Sequence, residues 1–220
     1  MHDQLVEAYG PQYWWPAQSA FEVIAGAYLT QNTAWKAVER SLANLRDAGA
    51  LSVDGLRAIP LDKLRRLIQP SGFFTRKAPA LKAFVAMLDK EFGGSLAILA
   101  AASTATLRER LLALPGVGAE TADAILLYAL GHPVPVADEY LRRIAERHQL
   151  IVPAAGRISY DSLANLTRQT FVNDPEQDQT ALFNEFHALT VAVGKAHCSR
   201  TPRCEGCPLV ADLRYTHTAR

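Results

Sequence analysis

The chain has 220 residues, a formal net charge of +1 and 49% hydrophobic residues. That apolar fraction excludes a disordered chain and can bury a core as one large domain or two small ones. The near-neutral total excludes a strongly cationic coat for nucleic acid, although a basic face can hide within it. No run reaches the roughly 18 apolar residues of a membrane span, and no basic-then-apolar leader opens the chain. A soluble, cytoplasmic, monomeric protein with no membrane partner is expected.

In chain order, Tyr13-Trp14-Trp15-Pro16 comes first, with two of the three tryptophans side by side. Pro16 turns Trp15 away from helix, and such a pair either fills a core or offers aromatic faces to a ligand. Phe21, Ile24, Ala25 and Tyr28 then recur at helical spacing. That helix ends in Leu29-Thr30-Gln31-Asn32-Thr33, polar turn chemistry that also starts the next helix. The next one carries Trp35, points Val38, Leu42 and Leu45 inward, and stops near Gly49. Ile59-Pro60 breaks the chain, Leu61, Leu64 and Leu67 make a short helix, and Ser71-Gly72 marks a turn. Arg76, Lys77 and Lys82 join a helix with Leu81, Phe84, Val85 and Leu88. These bases read as a solvated face or, for Lys77, as a phosphate contact. Gly93-Gly94 closes that helix, and another around 107–112 follows.

The stretch Leu114-Pro115-Gly116-Val117-Gly118 is a glycine turn that brings backbone N–H groups close to a ligand. It opens into a helix with Ala122, Ile125, Leu126, Ala129 and Leu130 on one face. A turn of this kind at a helix N-terminus suits a phosphate, which makes Gly116, Val117, Gly118 and Thr121 candidate phosphate binders. Gly131 and Pro133 end the helix. Asp138 heads the next, which carries Arg142 and Arg143 and ends near His148. An acid at a helix start is often a plain cap. On a short tether from a phosphate-binding turn, it is also a candidate general base or charge stabiliser. Helices over about 160–171 and 180–194 follow, and no segment alternates like a strand, so the expected fold is all-α. All three cysteines, Cys198, Cys204 and Cys207, lie in one short stretch. That clustering fits a metal site in a reducing compartment better than a disulfide framework.

Together, the LPGVG turn, the helix and Asp138 within Val136-Ala137-Asp138 resemble the helix-hairpin-helix DNA glycosylases related to endonuclease III. The resemblance implies two helical domains flanking a cleft. One is a six-helix block over about 20–131, and the other joins 1–19 to 132–220. It further implies damaged double-stranded DNA as partner, Asp138 as the catalytic carboxylate, and Gln31 as the side chain that enters the duplex. WWP followed by FEVIAGAYLTQNT and Trp35 is similar to the 3-methyladenine branch, whose base pocket maps onto Trp14, Trp15 and Trp35. An N3-alkylated adenine is cationic, and electron-rich indole faces attract it. Strand-cleaving relatives carry a lysine where this chain has Glu120, and a carboxylate forms no Schiff base. Relatives also hold a 4Fe-4S cluster on four cysteines, and the fourth place here is Leu213. The resemblance therefore leaves three outcomes. These are an iron–sulfur cluster with an atypical fourth ligand (His197, Asp212 or His217), a zinc site of three cysteines and a histidine, or no metal.

The expected function is a monofunctional glycosylase that excises alkylated purines, chiefly 3-methyladenine, in base excision repair. The alternatives are an endonuclease III-like glycosylase for oxidised or mismatched bases, or a non-catalytic DNA-binding module. Borohydride reduction on abasic or damaged DNA should trap no covalent complex; a trapped adduct mapped to an active-site lysine overturns the monofunctional reading.

Overall fold

The computed structural model describes residues 1–152, 156–171 and 178–213. Among them it is all-α, with twelve α-helices and no strand. They are α1 (His2–Tyr9), α2 (Ala20–Thr30), α3 (Trp35–Asp47), α4 (Val53–Ala58), α5 (Leu61–Leu67) and α6 (Phe74–Phe92). After these come α7 (Leu96–Ala100), α8 (Thr104–Leu112), α9 (Ala119–Ala124), α10 (Glu139–Arg147), α11 (Tyr160–Phe171) and α12 (Gln179–Ala196). The segment after α9 winds on as a wider π-helical turn over Ile125–Ala129. No helix among the described residues is long and apolar enough to cross a membrane.

Serines start five of these helices. Ser19, Ser52, Ser95, Ser103 and Ser159 each accept the backbone N–H three residues on, at 3.0 to 3.3 Å. Each thereby satisfies a donor that the first helical turn leaves open. Gly93 closes α6 in the left-handed region, φ 60°, where a side chain would be strained. The stretch read as six helices carries eight, α2 to α9. Ser52 and Ser95 nucleate helices of only six and five residues, too short for an apolar period to show in the sequence.

Backbone packing divides the chain into two units, residues 15–132 and residues 1–14 with 133 onward. In the first, Tyr28 and Phe84 meet edge to face at 6.3 Å. Leu64, Leu81, Leu88, Leu107 and Leu111 are buried with them. The second unit holds two apolar clusters. Leu5, Ile144, Leu189, Val193 and Leu209 make one, and Leu141, Ala145, Leu163 and Phe186 belong to the other. Helix α1, which the sequence reading passes over, enters the first of these through Leu5.

Helix α12 passes α10 at Gly194, where a Cβ would stand 2.2 Å from Cδ1 and 2.6 Å from Cγ of Tyr140. The ring of Tyr140 is in turn covered by the Arg143 guanidinium, 4.7 Å from its centroid. Gly194→Ala should therefore destabilise the protein by about 1–3 kcal/mol through overpacking, read as a lowered melting midpoint. An unchanged midpoint would mean that Tyr140 can move aside.

Candidate functional site

The glycine turn joins α8 to α9 in a helix-hairpin-helix. Val117 N–H donates to Leu114 O at 3.3 Å, Val117 is buried, and Gly116 takes φ 76°. Only glycine adopts that backbone without strain. Gly118 is the N-cap of α9 in extended backbone, and a Cβ there would meet nothing within 4 Å. Gln31, the side chain expected to enter a duplex, bonds to the motif in the free protein: Nε2 donates to Gly116 O at 2.9 Å and to Thr121 Oγ1 at 3.0 Å. Glu120 is exposed in the first turn of α9.

Beside Gln31 and Gly116 lies a pocket also lined by Tyr28, Asn32, Phe73, Arg76 and Lys77. Phe73, which the sequence reading passes over, lines this pocket. It is 58% exposed and holds φ 47° at the N-cap of α6. The signal was Gly72-Phe73-Phe74, an apolar pair directly after a turn glycine.

Lys77 corrects an expectation. It was read as a phosphate contact, yet it is only 4% exposed. Its ammonium donates at 2.8 Å to each of three acceptors, Leu29 O, Thr33 Oγ1 and Ser71 O. Those bonds tie α6 to the end of α2, to the Gln31 turn and to the turn before Phe73. Burial pushes its pKa down to about 8. A buried cation is tolerated when its donors are all used, and here they are used within the protein.

The aromatic residues form two groups. In the first unit Trp15 meets Trp35 at 5.3 Å and Tyr128 at 5.4 Å, both edge to face. Gly26 makes room for it, since a Cβ there would stand 3.1 Å from Trp15 Cζ2. Trp35, half-buried at the start of α3, donates through Nε1 to Glu39 Oε1 at 2.9 Å. Tyr128, on the π-helical turn, is a further residue that the sequence reading passed over. In the second unit Trp14 packs on His187 at 5.6 Å, and the Lys195 ammonium lies 5.9 Å from the Trp14 ring.

Asp138 is 8% exposed and caps α10, its Oδ1 accepting Leu141 N–H at 2.9 Å. Its Oδ2 lies 3.7 Å from His187 Nε2 on α12. The positive end of α10 thus holds one carboxylate oxygen. Val134, Val136 and Ala137, all buried, anchor the strand-like lead-in. A carboxylate held in dry surroundings can stabilise a developing cation or take a proton from water.

Cys198, Cys204 and Cys207 are free thiols, buried, exposed and half-buried in turn. They line one pocket with Arg147, His148, His197 and Leu213. Burial, with Cys204 and Cys198 nearby, pushes the Cys207 thiol up. Arg147 Nη1 donates to Cys198 Sγ at 2.9 Å, and Arg143 Nε donates to Cys198 O at 2.9 Å. Of the fourth ligands considered, His197 Nδ1 engages Arg203 O, Asp212 bonds Gln4 Nε2, and His217 lies outside the described residues. Among the described residues no three His, Cys, Asp or Glu side chains come together as a metal-holding group. With Leu213 in the fourth place, the donor set does not fit a four-cysteine cluster.

A model of the HhH-GPD superfamily of base excision DNA repair proteins matches residues 25–168. The chain belongs to this superfamily. Within HhH-GPD, a Methanocaldococcus jannaschii protein that carries the name of a DNA repair glycosylase is 37% identical over 206 residues, 93% of this chain and 90% of that one. A solved Helicobacter pylori 3-methyladenine DNA glycosylase, bound to 1,N6-ethenoadenine, superposes with a TM-score of 0.70 at 30% identity. The match covers 87% of this chain and 92% of the other. Endonuclease III, trapped as a covalent intermediate on DNA, gives a TM-score of 0.78 over 97% of this chain and 92% of that one. At 21% identity that likeness speaks for the fold alone.

Lys77→Met should strand three acceptors and cost about 1–3 kcal/mol at neutral pH. The pH dependence has a definite sign. Below about 8 the lysine is protonated both folded and unfolded; between about 8 and roughly 10.4 the unfolded chain binds the extra proton. Wild-type stability should therefore rise relative to Lys77→Met as pH climbs through that window. Denaturant titrations at several pH values check both statements, and a pH-independent difference contradicts the burial of the ammonium.

Proposed function

We propose that this chain is a monofunctional DNA glycosylase that releases alkylated purines, chiefly 3-methyladenine, from double-stranded DNA. The observation that carries the reading is the Asp138 carboxylate, buried and held by the α10 N-terminus at one oxygen. Breaking an N-glycosidic bond leaves positive charge on the sugar, and an adjacent fixed carboxylate lowers the energy of that state. It can also accept a proton from the attacking water. An N3-methylated adenine departs as a neutral base, so the leaving group needs no strong acid. No amine nucleophile is needed either, in keeping with Glu120 at the lysine position.

Recognition divides between backbone and base. The Gly116–Gly118 turn and the start of α9 offer N–H groups to a phosphate, which positions the protein without reading sequence. The target base must leave the stack before its glycosidic bond can be reached, and Gln31 and the exposed Phe73 ring are the side chains we assign to the gap. Gln31 must first release Gly116 O and Thr121 Oγ1, so engagement of DNA frees the hairpin carbonyl. Trp14, Trp15 and Trp35 are assigned to the extrahelical base, with Tyr128 supporting Trp15. The 3-methyladenine assignment draws support from these indoles and from the Helicobacter pylori structure at 30% identity.

The test is release of free base from methylated genomic DNA, with wild type and three variants compared. 3-Methyladenine should be the main product. Asp138→Asn keeps a capping residue and should lose about 100-fold or more of the rate. Trp35→Leu should lose roughly five- to 150-fold, the worth of about 1–3 kcal/mol of stacking, and Trp35→Phe less. Unchanged release by a folded Trp35→Leu variant sinks the pocket assignment, and unchanged release by Asp138→Asn sinks the catalytic one.

A further inference from the structure

We infer that His187 is a positioning residue, holding the second oxygen of Asp138 while Trp14 supports the back of its ring. The inference rests on the reading of Asp138 as the catalytic carboxylate. Oδ1 of Asp138 is committed to Leu141 N–H at 2.9 Å. That single bond leaves the carboxylate free to swing about its last torsion, which is broad for an sp² terminus. Oδ2 is the oxygen left to face a sugar or a water, and His187 Nε2 stands 3.7 Å from it. The two side chains are 8% and 10% exposed, so little water screens the contact.

His187 is itself held in place. It lies on α12, two turns before Gly194, where α12 is pressed against Tyr140 of α10. Its carbonyl accepts Thr190 Oγ1 at 2.8 Å, and Trp14 packs on the ring with 5.6 Å between centroids. The imidazole therefore touches a proposed pocket residue and the proposed catalytic residue together. At 3.7 Å the contact is longer than a hydrogen bond, and bonds of this kind tighten when a catalytic complex forms. An Nε2–H donor moving a few tenths of an ångström would fix Oδ2 and leave its remaining lone pair aimed at the reacting sugar. His187 transfers no proton in this role.

His187→Leu keeps bulk and removes the donor, whereas His187→Gln keeps an amide N–H at similar reach. Single-turnover release of 3-methyladenine under saturating enzyme should fall about 10- to 100-fold in the leucine variant, the scale expected when a reacting group loses its aim. Glutamine should recover most of that loss. Affinity for an uncleavable lesion duplex should stay within about threefold for both, because aiming a carboxylate acts on the chemical step. The double variant Asp138→Asn with His187→Leu should be no slower than Asp138→Asn alone, the non-additivity expected if one residue works through the other. Three results overturn the inference: an unchanged leucine rate, glutamine as slow as leucine, or a double variant whose losses multiply. If His187→Leu does not fold, His187→Met, which also keeps bulk and lacks a donor, takes its place under the same criteria. If Asp138→Asn alone keeps full activity, the reading of Asp138 fails, and that outcome is distinct from a wild-type rate in His187→Leu beside a slow Asp138→Asn.

Discussion

The interaction on which the second unit turns is the bond from Leu141 N–H to Asp138 Oδ1. One carboxylate does two jobs there. As an N-cap it satisfies a donor at the start of α10 and complements the helix dipole. In doing so it is carried into a setting from which water is largely excluded, where its charge acts strongly on anything nearby. The cap draws the side chain inward, the buried Val134-Pro135-Val136-Ala137 lead-in fixes the approach, and α12 supplies the opposing wall through His187. In the proposed role, removing the acid touches structure and chemistry together, and asparagine separates the two because it retains the cap.

Much of the fold could be read from the chain. Helical periodicity located the long helices, and Gly93, Gly131 and the prolines placed their ends. Short helices such as α4 and α7 escaped, because fewer than two turns give no period. Helix α1 escaped because Leu5 is its one buried residue. At the site, the glycine turn and Asp138 stood out because unusual backbone and a helix-heading acid leave local marks. Lys77 misled for the opposite reason: a basic run predicts solvent, and two of the three acceptors that hold this ammonium, on Leu29 and Thr33, are distant in sequence. His187 sat unremarked within an apolar helix, where a histidine looks like core until its neighbour across the packing is known.

The cysteine stretch has the spacing of a cluster-binding loop, with Leu213 in the fourth place. Within the protein, α10 fastens this loop. Arg147 reaches the Cys198 sulfur and Arg200 O, Arg143 reaches the Cys198 carbonyl, and Leu209 enters the core beside Leu5 and Ile144. Two guanidinium groups from a single helix thus give the loop several directional bonds.

The π-helical turn at Ile125–Ala129 has a consequence for how this part of the chain tolerates change in length. A π turn holds one residue more than the α turn it replaces. The extra residue is absorbed within the wider turn, so the side chains before and after it keep their faces. A one-residue deletion there could be taken up by a return to regular α winding, with Tyr128 still directed at Trp15. The same deletion in a regular α-helix would rotate everything beyond it by about 100°. The aromatic group is thus held by a stretch of chain that has length to spare.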